Sequence, residues 1–136
     1  MHYAIELANE AGLAGEVPVG AVIVNSKTNQ IISKAYNLVE KNNDPTNHAE
    51  MLVIRDACNK LASKFLYDYD IYITLQPCLM CYQAILYAKI KRLYFGAYDS
   101  ASSLKVPSSN HKIEIYGGIE EEKCKSILND FFLQKR

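Results

Sequence analysis

Apolar and polar positions alternate along this chain with two periods, and each period predicts a kind of element. From about Tyr3 to Ala14 the apolar residues Ala4, Ile5, Leu7, Ala8 and Ala11 recur at helical spacing, and Gly12 and Gly15 end the pattern. Val17 to Val24 (V-P-V-G-A-V-I-V) is a β-branched run, Ile31 to Tyr36 is another, and the polar stretch Asn25 to Gln30 between them predicts a hairpin. Asn37 to Pro45 reads as a polar loop, followed by a helix from about Asn47 to Leu61. Asp70 to Leu75 alternates as a strand, and Pro77 suits the first turn of a helix running to about Lys89, because that turn needs no amide donor from it. Arg92 to Ala97 predicts a fourth strand, the Ser-rich Tyr98 to Asn110 a loop, and Lys112 to Tyr116 a short fifth strand. Gly117-Gly118 breaks the chain before a closing helix over Glu120 to Lys135, acidic at its start and basic at its end, as the helix dipole favours. A hairpin followed by strand–helix–strand units predicts an α/β fold: a three-layer α/β/α sandwich around a mixed five-stranded sheet.

The 136 residues set a single domain as the expectation for 1–136. Lys plus Arg and Asp plus Glu are 15 each, so bulk charge signals no strongly basic nucleic-acid binder, although a local patch such as Lys89, Lys91 and Arg92 is compatible with phosphate contacts. No apolar run is long enough to span a membrane, and Met1 to Ala11 has no basic region followed by an apolar core, so the expected location is cytoplasmic. Reduced thiols are the norm there, which turns attention to the close pair among the four cysteines.

That pair is Cys78 and Cys81 in Pro77-Cys78-Leu79-Met80-Cys81. At i and i+3 in the first turn of a helix, both sulfurs face one point, and the helix N-terminus favours the thiolate. The imidazole of His48, in His48-Ala49-Glu50, would complete a His-Cys-Cys set. Three protein ligands leave the fourth tetrahedral position open to water, the pattern of a catalytic zinc, which supplies hydroxide at neutral pH. Glu50 would then be a proton shuttle rather than a ligand. Each residue also has a plainer reading. Asn47 could cap the helix with Glu50 completing a capping box, and the cysteines could be a redox pair or buried thiols. Cys58 and Cys124 fall within helices and read as core or boundary residues, His2 as surface, and His111 as a weak additional ligand candidate.

The combination His-x-Glu and Pro-Cys-x-x-Cys is the known signature of zinc deaminases. Over nearly its whole length the sequence resembles the bacterial tRNA adenosine deaminases of the cytidine deaminase-like superfamily. The resemblance is carried by Val17 to Val22, Asp44 to Glu50, Thr74-Leu75, Pro77 to Cys81, Phe95-Gly96-Ala97 with Asp99, Asn110-His111, Gly117-Gly118-Ile119 and Phe131-Phe132. It implies a homodimer with one Zn2+ per subunit, held by His48, Cys78 and Cys81, and Glu50 as the catalytic residue. It further implies hydrolytic conversion of adenosine to inosine at the wobble position of a tRNA anticodon stem-loop. By the same resemblance Asn37 hydrogen-bonds the flipped nucleotide, Ala49 offers its backbone to the base, and Asp99, Phe132 and Arg136 face the RNA. Gln76, Tyr82-Gln83 and the Ser100 to Ser109 stretch depart from the family pattern near the expected dimer and RNA surfaces. Two other functions fit the same ligands: a zinc-dependent deaminase of a free nucleobase or nucleoside (cytosine, guanine or cytidine), and a non-catalytic zinc-containing RNA-binding subunit.

Overall fold

The computed structural model describes residues 1–99 and 113–134. Its elements are α1 (His2–Leu13), β1 (Gly20–Asn25), β2 (Ile31–Tyr36), α2 (Val39–Asn42), α3 (Ala49–Leu61), β3 (Tyr69–Leu75), α4 (Leu79–Tyr87), β4 (Arg92–Ala97), β5 (Glu114–Tyr116) and α5 (Glu121–Gln134). The five strands form one mixed sheet in the order β2-β1-β3-β4-β5. β1 is antiparallel to β2 and β3, while β3, β4 and β5 run parallel. Helices α1 and α5 cover one face and α3 and α4 the other, so the expected three-layer sandwich is present.

Side-chain alternation along the strands builds both interfaces. Ala21 and Ile23 of β1 and Ile71 and Ile73 of β3 point into the larger core with Val53, Ala57 and Ile85, while Val22 and Val24 pack with Ala4 under α1. Two glycines let the helices of this second face approach closely. A Cβ at Gly20 would meet the Ala8 amide nitrogen at 2.8 Å, and one at Gly96 would meet Cys124 Cβ of α5 at the same distance. Cys124 is buried and Cys58 half-buried, and His2 lies exposed beside Glu6, as the sequence suggested.

Several boundaries differ from expectation, each for a local reason. β1 begins at Gly20 rather than Val17: Pro18 has no amide to give a ladder, and Val17 O instead accepts from Val19 N and from the Asn37 side chain. The expected loop after β2 contains the short helix α2, whose amides at Glu40 and Lys41 each donate to a carboxylate oxygen of the buried Glu16 at 2.9 Å. Helix α4 begins at Leu79, so Pro77 precedes the helix instead of filling its first turn. Arg92 does not join a basic phosphate patch. It pairs with Glu114 at 3.0 Å and Asp70 at 3.6 Å, at the starts of β4, β5 and β3, the end of the parallel strands away from Gln76 and Asp99. Beside that row Tyr72, Tyr94 and Tyr116 stack across the same three strands, with centroids 4.5 and 5.2 Å apart. His111, Lys112, Ser100 to Ser109, Lys135 and Arg136 lie outside the described residues.

On β2 the buried Ser33 hydroxyl donates to Asp56 Oδ2 at 2.6 Å, and Lys60 Nζ lies 3.0 Å from the same oxygen. The Ser33 bond, chiefly, holds the Asp56 carboxyl below its usual 3.8. A lowered folded-state pKa adds stability above the unfolded value that is lost as pH falls through the folded value. Ser33→Ala is therefore expected to destabilise by about 1 kcal/mol at pH 7, a figure that allows for solvent screening of the half-exposed Asp56. Urea unfolding from pH 7 down to pH 2 checks this: the difference between variant and parent shrinks only below about pH 4.

Candidate active site

Two helices begin at the same place. The N-cap of α3 is His48 and the N-cap of α4 is Cys78, and neither side chain caps its own helix. Instead they turn toward each other. His48 Nδ1 lies 3.6 Å from Cys78 Sγ and 3.4 Å from Cys81 Sγ, and all three ligand atoms are within 4.8 Å of one another. Zinc bonds of about 2.3 Å to sulfur and about 2.0 Å to nitrogen, at a tetrahedral angle, separate the two ligand atoms by about 3.5 Å. The observed spacing fits one ion held by these three side chains.

The three groups share protons through their mutual contacts. Hydrogen bonding from Cys81 and then His48 pulls the Cys78 thiol down to about 4. The same contact with Cys78 pushes Cys81 far up, and the hydrogen bond to Cys78 raises His48. Both helix N-termini add partial positive charge at this point. Glu50, one residue into α3, is buried, and burial raises its carboxyl above the usual 4.5. Since His48 is the N-cap, Glu50 stands at the second helical position and the capping box that Asn47 might have started does not form.

With His48 occupied, α3 is capped from a distance. The Asn37 side-chain oxygen accepts the Ala49 amide at 2.8 Å, and its Nδ2 donates to Val17 O at 3.0 Å. The Asn37 backbone amide also donates to Val19 O, and the Leu38 amide to Asn47 O. One buried amide thus ties the segment before β1, the end of β2 and the start of α3 together.

These residues face a cavity of about 370 Å³, within the range of small-ligand clefts. It is lined by Asn37, His48, Glu50, Cys78 and Asp99 among the expected residues, and by Glu16, Gln76 and Phe131. The chain is matched over residues 1–136 by the family described as MafB19-like deaminase. A tRNA-specific adenosine deaminase of Rickettsia bellii is 44% identical over 100% of this chain and 99% of its own length. The chain belongs to the deaminase family that contains the tRNA-specific adenosine deaminases. A solved structure from work on A-to-I editing by tRNA:A34 deaminases at the wobble position of transfer RNA has a TM-score of 0.87 and 39% identity, covering 94% of this chain and 97% of that one. A guanine deaminase from Bacillus subtilis is 40% identical with a TM-score of 0.66, over 71% of this chain and 61% of that one.

Within this deaminase fold the remaining expected residues are placed unevenly. Cys81 is buried under the cavity, and the Ala49 amide is engaged by Asn37. Phe132 is 54% exposed, outside the cavity lining, and packs edge-to-face on Phe131, which is the phenylalanine that lines the cavity. Arg136 and the weak candidate His111 lie outside the described residues. Reading the sequence passed over Glu16 as a site residue and singled out Gln76 only as a departure from the family pattern. A lone acid set among Gly15, Val17 and Pro18 was the available signal for Glu16.

Asn37→Ala removes both the distant cap and the Val17 tie. It is expected to cost about 2 kcal/mol of stability in urea unfolding and about tenfold in metal affinity, measured by competition with a chromogenic chelator. Unchanged metal affinity would separate Asn37 from the ligand geometry.

Proposed function

We propose that this chain, as one deaminase domain over 1–136, hydrolyses adenosine to inosine at the wobble position of a tRNA anticodon. A buried carboxyl stands beside three converging metal ligands at the base of a cavity, and this observation carries the reading. The names of relatives at about 40% identity over the whole chain support the substrate. His48, Cys78 and Cys81 would hold Zn2+, one per subunit. When bound, zinc supplies the Lewis acidity that makes water a nucleophile near neutral pH.

The chain's own residues do the rest. Glu50 accepts the proton of the attacking water, and its raised affinity for protons suits it to pass that proton on. Water adds at C6 of the adenine and Glu50 passes the first water proton to the ring nitrogen; it then takes the proton of the new C6 hydroxyl and delivers it to the amine, so that ammonia leaves as the C6 carbonyl forms. Adenosine and water are consumed and inosine and ammonia formed, so the step balances without another reactant. An unpaired anticodon-loop base reaches such a pocket at lower cost than a base in a duplex. Asn37 would orient the base, with the Ala49 amide passing from Asn37 Oδ1 to the base as it binds, and Asp99, Phe132 and Arg136 would contact the RNA around it.

Among the described residues no helix is long and apolar enough to cross a membrane, and a tRNA substrate fits a cytoplasmic location. A homodimer is part of the same reading. Leu79 and Tyr87 expose 57% and 75% of their surface on α4, an apolar face suited to a second copy. Light scattering is expected to give the mass of two chains, and Tyr87→Glu to shift it toward one. A single-chain mass for the parent protein would end the dimer proposal.

Mass spectrometry of a synthetic anticodon stem-loop after incubation tests the activity, with free adenosine, cytosine and guanine as parallel substrates. Inosine in the stem-loop alone is expected, and Glu50→Gln is expected to lower its rate by at least about 10³-fold with zinc content unchanged. The guanine deaminase likeness makes turnover of free guanine the second reading, and product there without inosine in RNA would favour it. Zinc content without any turnover would favour a non-catalytic RNA-binding subunit.

A further inference from the structure

Gln76 follows β3 directly, and its backbone amide donates to Ala97 O at 2.8 Å, closing the β3–β4 ladder. Its side chain then reaches beyond the ladder. Gln76 Oε1 accepts the backbone amide of Asp99 at 3.0 Å. Because Asp99 offers an N–H, the carboxamide must turn its oxygen that way and its NH2 elsewhere. Gln76 also stands between two cavities. On one side is the catalytic cavity with His48, Glu50 and Asp99. On the other is a more apolar space of about 260 Å³ lined by Pro77, Tyr82, Phe95, Tyr98 and Ile115. Gln76 is adjacent in sequence to Pro77-Cys78, so one residue links the metal-ligand turn after β3 to the turn after β4.

We propose that Gln76 is a positioning residue: by accepting the Asp99 amide it fixes Asp99 at the mouth of the catalytic cavity, and it acts on RNA binding through Asp99. The proposal rests on the reading above that an anticodon stem-loop is the substrate and that Asp99 meets it. Methionine has similar length and fills the partition between the cavities, but it offers the amide only a weak sulfur acceptor. Glutamate keeps a full oxygen acceptor.

The test is a double-mutant cycle on the zinc-loaded protein with the stem-loop as substrate, read as KM and kcat separately. Gln76→Met is expected to raise KM about fivefold, the effect of one net hydrogen bond, while kcat falls by no more than about twofold. Gln76→Glu restores KM to within about twofold of the parent. In an Asp99→Ala background, Gln76→Met adds nothing further to KM. Hydrogen exchange at the Asp99 amide, which needs no substrate, is expected to run about tenfold faster in Gln76→Met.

Fully additive effects on KM, or a loss confined to kcat, would overturn the proposal. So would an Asp99 amide whose exchange does not change. If the parent protein leaves the stem-loop unmodified, the functional reading fails and takes the role in RNA binding with it. The amide-exchange result then still reports separately whether the tether exists.

Discussion

A helix N-terminus can be capped by its first residue, or that residue can do something else, but one side chain cannot do both. In this protein the N-cap positions of α3 and α4 are filled by His48 and Cys78, whose side chains meet each other instead of their own helices. The unsatisfied amides must then find partners elsewhere. For α3 the partner is Asn37, brought from the end of β2, and this substitution decides much of the architecture around the site. Asn37 can reach only if the chain before β1 leaves the sheet, which it does at Val17 to Val19, and only if the chain after β2 turns back, which α2 and Glu16 accomplish.

The sheet supplies the other half of the geometry. β3 and β4 are parallel and end side by side, so the turns that follow them open at the same edge. The first of these turns delivers Cys78 and the start of α4, and the second delivers Asp99. Ligands in open α/β sheets characteristically bind outside the carboxyl ends of the strands, and the cavity obeys that rule. The opposite end of the same strands carries the Asp70, Arg92 and Glu114 row and the tyrosine stack, which hold β5 to the sheet away from the site.

Function sits on interactions that do not favour the fold by themselves. A buried carboxyl at Glu50 and a crowded His-Cys-Cys set each cost stability when nothing neutralises them, and burial and mutual contact displace their proton affinities. The helix termini, the remote cap and the apolar core around Val53, Ile73 and Ile85 hold them in place nonetheless. A bound cation would relieve the same strain, which ties metal binding to the stability of this corner of the molecule.

Local chemistry determined what could be read without coordinates. The β-branched runs, the alternation of Asp70 to Leu75 and the two glycine breaks gave the strands, the helices and their order, because periodicity is a property of neighbours in sequence. The residue types of the metal group were legible for the same reason: His48 with Glu50, and Cys78 with Cys81, are each close in the chain. Contacts between distant segments were not legible. Nothing near Asn37 says that it will cap a helix twelve residues on, nothing near Gln76 points to Asp99, and Arg92 looked free until its acidic partners on β3 and β5 were beside it. The choice between Phe131 and Phe132 likewise depended on how α5 lies against the sheet. Sequence fixes which groups exist and which local conformations they favour, whereas a capping, tethering or pairing bond between remote residues exists only once the sheet has brought their backbones within reach.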